Sequence, residues 1–148
     1  MTANDSLKTR LKPFALPAAV FLLVVLLFRF VLFLGAVPTA SMQPTLPEGS
    51  FIIGSRIYSE LHDGDIIVFE HDGLTLVKRI VAEPGDEMDW TDFACAANPD
   101  ADLPAAVPDG QYIVMGDNRS DSVHSRSWPD PFVRRSEIKA VVVAKNGS

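Results

Sequence analysis

The sequence predicts a mostly β domain, built of antiparallel sheets, behind a single N-terminal transmembrane helix. Three observations predict it. An apolar run lies near the N-terminus, short β-type stretches parted by turn residues follow it, and no amphipathic helical stretch of convincing length appears among them. At 148 residues, with 47% hydrophobic content and a positive mean hydropathy, the chain fits one domain plus an apolar appendage.

The appendage comes first. Residues 14–28 are almost wholly apolar, Arg29 interrupts, and the run resumes over residues 30–37, with Lys8, Arg10 and Lys12 ahead of it. A bilayer crossing takes about 20 apolar residues. A guanidinium in mid-bilayer is costly, but at a helix end it can snorkel to the headgroups. The expected layout is therefore a cytoplasmic tail over residues 1–10, a transmembrane helix over 11–29, and an extracytoplasmic β-rich domain over 30–148 whose first strand hugs the membrane. Basic residues ahead of the span keep the N-terminus inside. A cleavable leader is the competing reading, but the apolar core is long for one and cleavage near Ala40 would detach the anchor beside Ser41.

Strands are expected at Phe51-Ile52-Ile53, Ile66-Ile67-Val68-Phe69, residues 74–81, residues 112–115 and residues 138–144. His71-Asp72-Gly73 reads as a hairpin turn, with Gly73 free to take a positive φ. Residues 83–109 hold eight acidic residues and no Lys or Arg, which suits an irregular solvated loop at about 89–109. The net charge of −6 offers no basic face for nucleic acid. Cys95 is the only cysteine, so no internal disulfide forms, and His62, His71 and His124 lack metal-ligand spacing. No cofactor is implied.

The chemistry-bearing residues fall in three blocks. Ser41 lies in Pro38-Thr39-Ala40-Ser41-Met42-Gln43-Pro44-Thr45-Leu46. A serine hydroxyl needs a base to take its proton, and lysine serves only when burial lowers its pKa. Lys78 sits in Leu74-Thr75-Leu76-Val77-Lys78-Arg79-Ile80-Val81, where strand alternation puts Leu74, Leu76, Lys78 and Ile80 on one face and Arg79 on the other. Taken alone, that pattern also suits a surface lysine at a β edge. Thr39, two residues before Ser41 in an extended segment, would present its hydroxyl on the same side as that of Ser41. Pro44 and Pro47 deny residues 42–48 a helix. The third block is Gly116-Asp117-Asn118-Arg119-Ser120-Asp121-Ser122-Val123-His124-Ser125-Arg126, in which Gly116 lets backbone pass close to a neighbour.

In order and spacing these blocks, with Pro84-Gly85-Asp86, resemble the type I signal peptidases over about residues 29–143. The resemblance implies a membrane-anchored serine–lysine endopeptidase that cleaves signal peptides from exported preproteins after small residues. It makes Ser41 the nucleophile, Lys78 the general base, Thr39 a donor to the oxyanion and Ser122 the hydroxyl that orients the lysine amine. Met42, Pro44, Gly116, Asp117, Arg119 and Arg126 support the motif. Its partners are signal peptides and the lipid bilayer.

Two departures stand out. His124 replaces the aspartate that ordinarily pairs with the following arginine, which leaves Arg126 to find Asp117 or Asp121, and Trp128-Pro129-Asp130-Pro131-Phe132-Val133 lacks a common glycine. Rival readings are a processing peptidase dedicated to one secreted or conjugation substrate, and a membrane-anchored β module that binds without cutting. Self-cleaving repressors share the dyad but are soluble and carry a DNA-binding module. A Ser-His-Asp triad through His124 lacks the Gly-x-Ser-x-Gly elbow around Ser41.

Overall fold

The computed structural model describes residues 3–90, 103–119 and 128–145, with side chains from Phe14 onward. Helix α1, Ala3–Phe30, starts ahead of the expected Leu11, in a stretch whose Leu7, Lys8, Arg10 and Leu11 are all good helix formers. It ends with Arg29 in its last turn. Side chains from Phe14 to Phe30 are all exposed. Among the described residues no helix is long and apolar enough to cross a membrane.

Among the described residues seven strands form one antiparallel sheet: β1 Leu32–Ala36, β2 Phe51–Ser55, β3 Ile66–His71, β4 Leu74–Ala82, β5 Gln111–Met115, β6 Phe132–Arg134 and β7 Ile138–Lys145. Their order across the sheet is β1-β2-β7-β3-β4-β5-β6. The β3–β4 hairpin closes through Asp72 (φ 49°) and Gly73 (φ 76°), the two positive angles that a two-residue turn of the right twist demands.

The sheet bends at three register shifts, at Ile53/Gly54, Val68/Phe69 and Ile80/Ala82. At the first, a Cβ on Gly54 would lie 2.9 Å from Ala140 Cβ and 3.1 Å from the Val141 carbonyl oxygen, so only glycine lets β2 and β7 close on each other here. β1 and β4, with three strands between them in the order, both line one cleft. One core lies under Phe69, Ile80, Val114 and Trp128; a second lies under Met42, Leu46, Ile52 and Val68, beneath the segment that carries Ser41.

Candidate active site

Ser41 sits in the middle of a 3-10 turn, Ala40–Met42, and not in an extended strand. The turn closes through the Gln43 N–H on the Ala40 carbonyl at 3.0 Å, and its next residue, Met42, is fully buried against Val37, Leu46 and Ile52. Burying Met42 therefore fixes which way Ser41 faces. Thr39, just before the turn, is extended (φ −136°, ψ 159°), and its hydroxyl donates to Ser41 Oγ at 3.2 Å. The two hydroxyls do meet, through the turn and not through strand alternation as the sequence suggested: the tight turn draws residues 39 and 41 together.

A second element pins the turn from outside. After β5 the chain passes through buried Gly116, and Asn118 then clamps the turn twice. Its backbone N–H donates to the Ser41 carbonyl at 3.1 Å and its side-chain amide to the Ala40 carbonyl at 3.3 Å. In the sequence Asn118 stands out only as part of the Gly116-Asp117-Asn118-Arg119 block. Its place between Gly116-Asp117 and Arg119 was the available signal; its partners, some 78 positions earlier, were not legible.

Lys78 lies in the middle of β4, opposite Ile67 on β3, and is 3% exposed. Strand alternation predicted its face, and the neighbours on that face are Leu76 and buried Ile80. Removing an ammonium from water is costly, so burial pushes the Lys78 amine below the ordinary lysine range, while the charge of Asp117 partly offsets that push. Arg79 points the other way, as expected, and joins Asp117, the Gly64 carbonyl at 2.6 Å and Thr45 Oγ1 at 3.4 Å. Asp117, considered above as a partner for Arg126, is thus held by Arg79.

Thr39, Ser41 and Lys78 line the same cleft, about 180 Å³ in volume, whose apolar walls include Phe33, Ile52 and Val68. A hydroxyl held by a second hydroxyl, in one narrow apolar cleft with a desolvated amine, is the chemistry that nucleophilic attack on a small acyl group requires. Pro44 lies exposed in the chain that leaves the turn, and Arg119 donates to the Met115 sulfur. Ser122, His124, Arg126 and Cys95 lie outside the described residues.

The family described as "Signal peptidase, peptidase S26" matches residues 10–100 and 90–145. The chain is 34% identical over 128 residues to "Probable signal peptidase I-2" of Synechocystis sp., covering 69% of this chain and 57% of that protein. It is 31% identical over 138 residues to "Signal peptidase I" of Bacillus licheniformis, covering 74% and 73%. With "Signal peptidase I S" of Bacillus subtilis it shares 29% identity over 160 residues, covering 89% and 87%. The chain spans 57% and 60% of the length of two Synechocystis relatives. Because the match takes in the Ser41 turn, buried Lys78 and the clamp at Asn118 together, the chain belongs to the signal peptidase family, peptidase S26.

Proposed function

We propose that this protein is a membrane-anchored serine endopeptidase that removes signal peptides from exported preproteins, cutting after small residues. The observation that carries the reading is the shared cleft, lined by Ser41, Thr39 and Lys78, the last almost wholly buried. In this mechanism neutral Lys78 takes the Ser41 proton as Oγ attacks the scissile carbonyl. The oxyanion is held by the Thr39 hydroxyl and the Ser41 N–H, each such donor contributing about 3–4 kcal/mol in serine proteases. Protonated Lys78 then hands its proton to the leaving amine, and water, deprotonated by the same lysine, hydrolyses the acyl-serine. Ser122 is assigned to orient the amine.

The narrowness of the cleft supports a preference for small side chains beside the cut. For the anchor, the support is the row of exposed apolar side chains on α1, among them Phe14, Phe21, Leu23 and Phe28, which need a covering that water does not give. Lys8, Arg10 and Lys12 then favour a cytoplasmic N-terminus and an extracytoplasmic Ser41. Incubating the detergent-solubilised protein with a preprotein and locating the cut by mass spectrometry tests the reading. A single cut after a small residue at the end of the signal peptide is expected; an intact preprotein would overturn it.

A further inference from the structure

A second and wider pocket opens from the same residues. It has a volume of about 400 Å³ and shares Thr39, Ser41, Leu76 and Lys78 with the narrow cleft, but where the cleft runs toward Phe33 and Ile52, this pocket runs toward His71, Leu74 and Trp128. Its far wall is a built surface. The His71 ring stacks on Trp128 with centroids 4.0 Å apart and planes 23° apart. Trp128 is in turn held edge-on by buried Phe69 at 6.1 Å. The hairpin turn at Asp72-Gly73 fixes His71 opposite Leu74, and the Asp72 carboxylate stands at the rim, 3.7 Å from His71 Nε2.

A peptide bound in extended form sends alternate side chains to opposite sides. If the residue that supplies the scissile carbonyl and the one two places before it enter the narrow cleft, the residue between them faces the other way. We propose that the wide pocket is the subsite for that intervening residue and that it selects a large apolar or aromatic side chain, with Asp72 discriminating against an acidic one. His71, Leu74 and Trp128 are then specificity-determining residues. This rests on the peptidase reading above and adds a preference that two small-residue positions alone would not give.

The test is a series of peptides carrying a signal-peptide cleavage site of the form Ala-x-Ala, with x as Ala, Leu, Phe or Asp, cleaved by the wild type, His71→Ala and Leu74→Ala. Leu74 is 64% exposed, so its replacement leaves the core untouched, and circular dichroism checks both variants. The wild type is expected to cleave x = Leu or Phe with a kcat/KM about tenfold above x = Ala, the scale on which an apolar pocket discriminates, and x = Asp more slowly than x = Ala. The Phe-to-Ala ratio should fall toward one in each folded variant. Cleavage indifferent to x, a ratio unchanged in both variants, or selectivity only at the residue after the cut would overturn the proposal. Failure of the wild type to cleave any of the peptides would instead count against the peptidase reading itself.

Discussion

Arg79 and Asp117 meet through two parallel hydrogen bonds, Nε to Oδ1 at 2.9 Å and Nη2 to Oδ2 at 2.6 Å, and so tie β4 to the loop that follows β5. The pair is mostly withdrawn from solvent, with side chains 29% and 15% exposed, and Arg79 also reaches the Gly64 carbonyl. It thereby holds together the strand that carries Lys78 and the loop whose Asn118 clamps the Ser41 turn.

Breaking this link should cost stability with a defined pH signature. Asp117→Ala is expected to destabilise the protein by about 2–3 kcal/mol near pH 7, as charge-assisted hydrogen bonds of this kind do. Burial would raise the Asp117 pKa, but hydrogen bonds from Arg79 and Thr45 and the charges of Arg79 and Arg119 together hold it below the usual carboxylate range. A depressed carboxylate stabilises above its unfolded pKa, about 4, and loses that contribution as pH falls through its folded value. The difference between wild type and variant in urea denaturation should therefore be full at neutral pH and shrink in acid below about pH 4. A constant difference across that range would contradict the assignment.

The same aspartate should set the pH dependence of catalysis. Lys78 must be neutral to act as base, so activity is expected to rise with pH along a limb that lies below the ordinary lysine range. Asp117 raises the Lys78 pKa by its charge, and Asp117→Asn removes that charge while leaving Arg79 positive nearby. Both changes favour the neutral amine. The limb should move to lower pH in the variant, measured as kcat/KM on one peptide, and a shift to higher pH would refute the role given to Lys78.

Gly54→Ala tests the packing that curls the sheet. The new methyl would stand 2.9 Å from Ala140 Cβ and 3.1 Å from the Val141 carbonyl oxygen, so either β2 and β7 part or the backbone shifts. A loss of about 1–3 kcal/mol is expected by thermal unfolding, the range for overpacking a closed interior.

Much of this architecture is legible in the sequence, for physical reasons that differ by element. β2, β3, β4, β5 and β7 are legible as β-branched and aromatic runs parted by turn residues, whereas alternation puts Lys78 on the face of Leu76 and Ile80 without deciding, by itself, between burial and a β edge. β6 is not legible. Its three residues, Phe132–Arg134, follow Pro129 and Pro131 and are too few to show a period, so only pairing with β5 defines the strand. Pro44 and Pro47 argue against helix over residues 42–48, yet one 3-10 turn fits ahead of them and carries Ser41. Contacts that depend on the sheet's curvature, such as Asn118 on the Ala40 and Ser41 carbonyls or His71 on Trp128, join residues far apart in the chain, and no local pattern announces them.

The central claim is that Ser41 and Lys78 act as one unit, and the most direct measurement is the rate of preprotein cleavage by Ser41→Ala, Lys78→Ala and the double variant, each checked for native circular dichroism. Nucleophile and base serve the same step, so each single variant should lose about 10⁴-fold or more and the double should be no worse than either. A folded Lys78→Ala protein that keeps substantial activity, or a double variant far slower than both singles, would contradict the account.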